Sequence, residues 1–276
     1  MKKILSALLL LSLMQPVSAQ YYYKDLVTTG QTSQQFSLYS QRAVKKVALA
    51  SFNGSSSETA GFTAEQIVDT RGRRITTITR TTVIGDAYLI ASFDAAGKLS
   101  ATTDSAQNAT NTTLYNYDAG GKLLTISTSN SSDNISTTES LHYTYDANGK
   151  PSSMLRVRNN SDTTRVQFIL DELGNVIEEK VTRSNLPAST VYYYYDSRSR
   201  LTDIVRYNAQ AKRLLPDYMF EYNDNGQLKK MVIIPEGTNE YQNWYYQYNE
   251  NGLKRMELCY DKTQHLLGKV VYEYQN

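Results

Sequence analysis

A hairpin signature recurs along most of this chain, and recurrence of that kind restricts the fold to stacked copies of one supersecondary unit. It reads Tyr117-Asp118-Ala119-Gly120-Gly121-Lys122-Leu123, then Tyr145-Asp146-Ala147-Asn148-Gly149-Lys150, and later Tyr222-Asn223-Asp224-Asn225-Gly226-Gln227-Leu228. The Asp or Asn position falls at Asp69, Asp94, Asp118, Asp146, Asp171, Asp196, Asn223 and Asn249, successive members lying 24 to 28 residues apart. Asp-x-x-Gly between alternating residues predicts a three-residue hairpin loop, a type I turn followed by a left-handed residue and a bulge. The Asp side chain accepts a local amide hydrogen and Gly takes the positive φ. In that register Asp118 faces Lys122 and Tyr117 faces Leu123. Opposite charges are likewise expected face to face at Asp69 and Arg73, Asp94 and Lys98, Asp146 and Lys150, and Asp196 and Arg200.

The incoming strand of each unit alternates cleanly. The position before the Asp or Asn reads Phe93, Tyr117, Tyr145, Leu170, Tyr195, Tyr222 and Tyr248, and two residues earlier it reads Ala91, Tyr115, Tyr143, Phe168, Tyr193, Phe220 and Tyr246. A third column holds Leu89, Thr113, Leu141, Val166, Val191, Tyr218 and Trp244, while the mostly polar Ser92, Asn116, Thr144, Ile169, Tyr194, Glu221 and Gln247 interleave. Period-two alternation of this kind puts an apolar, aromatic face opposite a solvated one. Val270, Tyr272 and Tyr274 repeat the three columns, so residue 276 closes a last incoming strand. The outgoing strand, with Leu123 and Ile126 or Leu201 and Ile204 an odd distance apart, requires a bulge. Polar stretches 127–137, 159–163 and 184–188 read as exposed loop tips. A flat array would leave its aromatic face bare, so the expectation is an all-β fold in which antiparallel hairpins form one curled or spiralling sheet, a partial shell.

Residues 1–19 carry Lys2 and Lys3, a short apolar run from Ile4 to Met14, and small residues Val17-Ser18-Ala19, the pattern of a secretory signal peptide. Residues 20–60 lack the turn signature and are expected to form a degenerate repeat or cap, with the repeat domain over 61–276. Of 29 basic residues two lie in the signal segment, leaving 27 against 27 acidic ones. No basic stripe stands out, which excludes nucleic acid as an expected partner. No later apolar run is long enough for a membrane-spanning helix. The single cysteine, Cys259, rules out an intramolecular disulfide and is expected as a semi-buried thiol.

The segment Tyr193-Tyr194-Tyr195-Asp196-Ser197-Arg198-Ser199-Arg200-Leu201-Thr202 resembles the Tyr-Asp repeat of the Rhs and teneurin proteins, and the resemblance extends from about residue 61 to the C-terminus. It implies a spiralling antiparallel β-shell, here in a short secreted form like those of the Bacteroidetes, and a non-catalytic role.

Catalytic chemistry finds little support. His142 and His265 are the only histidines, too few for a metal set or a nucleophilic relay, so no cofactor and no metal are expected. Tyr192, Tyr194 and Tyr245 stand in columns that are otherwise polar and are the candidate ligand-binding residues, suited to stacking on a sugar or a peptide; inter-sheet packing is the alternative. Asp104-Ser105-Ala106 and Asp162-Thr163-Thr164 resemble the O-glycosylation signal of the Bacteroidetes and read as loop sites. The leading functional reading is a secreted, non-enzymatic binding or structural scaffold for a glycan, cell-wall or protein surface. Two alternatives are a carboxylate-dependent glycan hydrolase and an outer-membrane β-barrel.

Overall fold

The computed structural model describes residues 20–54, 57–58, 61–82, 85–132, 135–184, 186–235 and 240–276. The signal peptide expected over 1–19 lies outside them. A π-helical stretch, Tyr22–Val27, runs into helix α1, Thr28–Gln41. The first strands are β1 (Lys46–Asn53), β2 (Ser57–Glu58), β3 (Phe62–Asp69), β4 (Arg74–Thr81), β5 (Gly85–Phe93), β6 (Leu99–Ala106), β7 (Ala109–Tyr117), β8 (Leu123–Ser132) and β9 (Ile135–Tyr145). They are followed by β10 (Pro151–Arg158), β11 (Asp162–Leu170), β12 (Val176–Arg183), β13 (Ser189–Tyr195), β14 (Leu201–Asn208) and β15 (Arg213–Tyr222). The last are β16 (Leu228–Ile233), β17 (Gln242–Tyr248), β18 (Lys254–Tyr260) and β19 (Leu266–Gln275).

From β3 to β19 each strand pairs antiparallel with the next, and the two ends of that meander are joined by β1. Its Leu49 lies opposite Tyr272 of β19 on one side and opposite Ala64 of β3 on the other. The sheet therefore closes into a barrel of eighteen strands, with β2 as a two-residue spur on β1. This corrects the expected partial, curled sheet. Closure satisfies both edges at once, and neither edge is left as a template for aggregation. The strand that closes it carries no turn signature, which is why the repeat pattern could not announce it.

The turns behave as the signature requires. In the 118 hairpin the Asp118 amide donates to the Lys122 carbonyl (2.9 Å), the Gly121 amide to the Asp118 carbonyl (2.9 Å), and the Lys122 amide to Asp118 Oδ1 (2.8 Å). Tyr117 pairs with Leu123 across a register shift that marks the bulge. Gly121 sits at φ 79° and Ser199, in the same place in its own repeat, at φ 56°. A left-handed Ser carries a steric penalty of roughly 1–2 kcal/mol, partly offset in a Gly variant by unfolded-chain entropy. Ser199→Gly is therefore expected to stabilise by about 0.5–1 kcal/mol in denaturant melts; a destabilised variant would refute the strain.

The expected charge pairs need correction. Only Asp196 and Arg200 form the predicted contact (2.6 Å), which holds the Asp196 carboxyl down at about 2. Asp69 lies opposite Arg74 rather than Arg73, because that turn is one residue longer. Elsewhere the cation reaches forward to the next repeat: Lys98 Nζ donates to the Gly121 carbonyl (2.5 Å), and Arg200 to the Asn223 carbonyl (3.4 Å). Gln227 does the same to Gly252 (3.1 Å). The side chain latches consecutive turns, and in Arg200 and Gln227 it does so in addition to bonding within its own turn.

Where the last aromatic position of an incoming strand holds Tyr, that Tyr latches them in the opposite direction. Tyr117, Tyr145, Tyr195, Tyr222, Tyr248 and Tyr274 donate their hydroxyls to the carbonyls of Leu99, Leu123, Val176, Leu201, Leu228 and Lys254, all at 2.7–2.9 Å. Each acceptor opens the outgoing strand of the preceding hairpin, where the bulge frees a carbonyl from the ladder. A Phe fills the same space but leaves that carbonyl without a donor. Tyr145→Phe is expected to cost about 1 kcal/mol, and a thermal melt identical to that of the parent would show the bond to be dispensable.

An eighteen-strand barrel with strands tilted by about 40° is roughly 35 Å across, too wide for its own side chains to fill. The chain fills it with residues 20–41. Twenty helical residues rise about 30 Å, comparable to the wall height, and the three aromatic columns point inward to meet them. Tyr22 packs edge-on against Phe168 and Tyr193, Tyr23 lies tilted against Tyr218 and Phe220, and Phe36 stacks on Phe93 with ring centroids 4.0 Å apart. Two apolar clusters result, one around Met154, Phe168, Tyr193 and Ile204, the other around Phe36, Tyr39, Val47 and Leu99. The segment read as a degenerate repeat or edge cap is thus a helical plug followed by the closing strand. Residues 127–137 are likewise not a free loop: β8 and β9 extend to Ser132 and from Ile135.

Candidate functional site: the barrel lumen and its rim

Polar groups hold the plug as well as rings do. From its start toward the Asp-turn end, Gln20 Nε2 donates to Asp217 Oδ2 (2.9 Å), the Tyr22 amide to Glu179 Oε2 (2.9 Å), and Tyr143 Oη to Asp25 Oδ2 (2.6 Å). Farther along, the Leu99 amide donates to Ser33 Oγ (3.0 Å) and Tyr39 Oη to Gln66 Oε1 (3.1 Å). Glu179 also accepts from Tyr193 Oη (2.8 Å), and its other oxygen is buried without a partner among the described residues. Asp217 is neutralised by Arg206, whose Nε lies 2.5 Å from its carboxylate.

Asp25 and Glu179 share one electrostatic situation. Burial raises both above the ordinary carboxylate range, Asp25 to about 7, against the lowering effect of the bonds donated to them. Asp25 is half-buried, yet desolvation is the largest cause of its shift, so the carboxylate behaves as a core group does. The groups facing it are Tyr143, Glu179, Glu139 and Lys24, one cation among two further acids. Two acids with raised pKa invite comparison with a glycosidase pair. Here, however, both tie the plug to the wall, Asp25 of the plug through Tyr143 and Glu179 of the wall through the Tyr22 amide. Among the described residues no group of three or more His, Cys, Asp or Glu is placed to hold a metal. His142 and His265 are exposed at the surface, and the Cys259 thiol is fully buried, which pushes it up to about 12.

The three candidate tyrosines lie on the outer wall. Tyr194 is 48 % exposed, and Tyr192 lies between Glu178 of β12 and Val205 of β14. Tyr245 stands edge-on to Tyr260 (5.6 Å), with Lys230 over its face at 5.8 Å. Three strands separate β13 from β17, so Tyr245 is about 19 Å from the other two and no single site contains all three. Ser105 and Thr163 are not on loops but inside paired strands, opposite Thr110 and Val157.

A cavity of about 990 Å³ opens at the rim opposite the Asp turns. It is lined by Tyr192, Tyr207, Arg183, Arg206 and Asp217, and by Leu186 of the β12–β13 connection. Reading the sequence in columns found only Tyr192 of this set, since Arg183 and Asp217 lie where the repeats diverge. No helix among the described residues is long and apolar enough to cross a membrane.

No family model and no curated protein sequence matches this chain. Among solved structures, a porin-like protein from Bacteroides uniformis aligns over 84 % of this chain and 98 % of its own at 9 % identity and a TM-score of 0.41. A porin-like protein from Bacteroides vulgatus aligns over the same shares at 12 % identity and a TM-score of 0.30. The TcdB2-TccC3 toxin component without its hypervariable C-terminal region aligns over 79 % of this chain at 14 % identity and a TM-score of 0.35. This chain spans only 13 % of that toxin's length. All three similarities are too distant to carry an activity over to this chain.

Proposed function

We propose that this chain is an exported, non-catalytic envelope protein: a β-barrel closed around its own N-terminal helix, whose outer wall and rim serve as a rigid scaffold for a glycan or protein partner. The observation that carries this reading is the polarity of the wall. Its inner face holds the aromatic columns and the plug, while its outer face carries charge in mid-strand. Glu65 lies there between Lys46 (2.6 Å) and Arg80 (3.0 Å), with Lys180 beside Glu178 (3.2 Å) and Lys230 beside Glu221 (3.1 Å). Each Lys or Arg held at a bilayer midplane costs roughly 2–4 kcal/mol, which favours water around the wall.

The outer-membrane barrel is the second reading, favoured by closure itself: an even number of antiparallel strands, with an outward strip of Tyr194, Tyr207, Met219 and Leu214 that is 41–62 % exposed. Fractionation of cells expressing the full chain separates the two. Recovery in the soluble exported fraction, monodisperse without detergent, is the expected result. Retention in carbonate-washed outer membranes would replace the scaffold in water with a barrel in lipid.

A further inference from the structure

The plug does not fill the lumen on every side. Where helix α1 faces β1, β3, β4, β18 and β19, a cavity of about 180 Å³ remains. Its polar lining comes from two directions, Gln35 and Tyr39 from the helix, and Gln66, Thr77, Lys254 and Glu257 from the wall. Register makes the wall groups neighbours: Gln66 lies opposite Thr77, Leu49 opposite both Ala64 and Tyr272, and Glu257 opposite Val270.

These groups hold one another in place without exhausting their hydrogen-bonding capacity. Gln35 Nε2 donates to Tyr39 Oη (2.9 Å), Tyr39 Oη to Gln66 Oε1 (3.1 Å), and Gln66 Nε2 to Thr77 Oγ1 (3.3 Å). Tyr272 Oη (2.8 Å) and Lys254 Nζ (2.5 Å) both donate to the same oxygen, Glu257 Oε1. Glu257 Oε2, Gln35 Oε1, the Thr77 hydroxyl hydrogen and a second N–H on each glutamine are left without a partner among the described residues. Glu257 and Thr77 are both buried, and bonds left unmade at that depth are costly.

Whatever completes this set must donate and accept, and must be small and neutral. A cavity of about 150 Å³ takes one benzene ring, so this one has room for a single six-membered ring. An apolar ring satisfies none of these groups, whereas hydroxyls meet donors and acceptors alike. Lys254 and Glu257 neutralise each other, so an ionic ligand finds no uncompensated charge to offset its own desolvation. Leu49, Phe62 and Val270 supply apolar surface for the C–H groups of a ring. Gln31, Gln34 and Gln35 share one face of α1 and are all exposed, so solvent reaches the cavity along the helix. We propose that this lumen cavity binds one neutral sugar ring, its hydroxyls bonded by Glu257, Lys254, Gln35, Gln66 and Thr77.

The site lies inside the barrel, apart from the outer wall and rim, and does not depend on what those surfaces bind. Equilibrium dialysis of the full exported chain against tritium-labelled glucose, galactose and mannose, each up to about 10 mM, tests it. At least one of the three is expected to bind saturably, one per chain, and more tightly than glucuronate, glucosamine or alanine. Affinity should fall roughly 10-fold or more in Glu257→Gln, which weakens the acceptor, and in Ala64→Leu, which fills the void. Gln35→Leu, at an exposed helix position, should weaken binding in the same sense. Near-UV circular dichroism identifies any variant that has unfolded; the remaining variants and the neutral-against-charged comparison on the parent then decide. No saturable uptake of any of the three hexoses would mean a cavity filled by water only and would overturn the assignment. So would tighter binding of a charged competitor, or unchanged affinity in every folded variant, which would put the sugar elsewhere on the barrel.

Discussion

Tyr193→Ala is expected to cost about 3–5 kcal/mol, and Tyr194→Ala next to it less than about 0.5 kcal/mol. Tyr193 is 2 % exposed, packs edge-on against Tyr22 of the plug at 5.3 Å, and gives its hydroxyl to Glu179. Removing it opens a ring-sized cavity between wall and helix and strips a donor from a buried carboxylate that already lacks a partner for its other oxygen. Tyr194 points the other way, into solvent. Denaturant melts of the two variants measure the contrast directly. Equal losses would mean that the wall does not face inward at Tyr193, and the whole assignment of inner and outer faces would fall with it.

Asp25→Asn is expected to stabilise the protein at pH 8 and to leave it nearly unchanged at pH 4. The folded-state pKa of Asp25 is raised from an ordinary 3.8 to about 7, so the native state binds the proton more tightly than the unfolded chain does. Between those two values the native state holds more protons, and stability falls as pH rises through that window. Below pH 4 both states are protonated and no penalty applies; above pH 7 the penalty is complete, up to about 4 kcal/mol for a shift of this size. Asn keeps an acceptor for Tyr143 and cannot ionise. Glu179 is shifted in the same direction by burial and remains in the variant, so a smaller decline with pH should persist. Thermal melts from pH 4 to 8 test this: a parent whose stability rises over that range would show that Asp25 is not a desolvated acid.

Both expectations concern the joint between wall and plug, where reading the sequence alone went least far. The hairpins were legible because each signature is local: Asp118 to Lys122 forms its own turn from its own side chain and one left-handed Gly. The faces were legible because a strand's period of two is a property of the strand alone, and Tyr143, Phe168 and Tyr193 are buried as their column requires. The plug was not. Residues 28–35, Thr-Thr-Gly-Gln-Thr-Ser-Gln-Gln, are poor helix formers with little apolar surface, and such a segment is helical only because a surrounding wall packs it. A signal was nonetheless present: Tyr22, Leu26, Thr29, Ser33 and Phe36 follow one another at spacings of four and three, a helical stripe among residues read as a degenerate repeat or cap.

Sequence alone determined the repeat, its turn chemistry and the aromatic face, because each depends on residues within a few positions of one another. Whether that sheet curled, paired or closed was decided by tertiary structure. The answer lay in β1, whose Lys-Val-Ala-Leu-Ala-Ser-Phe-Asn strand resembles no repeat and acquires its role by pairing with β3 and with β19, a strand more than two hundred residues away. The same long-range closure sets the lumen too wide for the wall's own side chains. It thereby gives an otherwise weak helical segment a place to fold, and turns Asp25 and Glu179 from ordinary acids into buried ones.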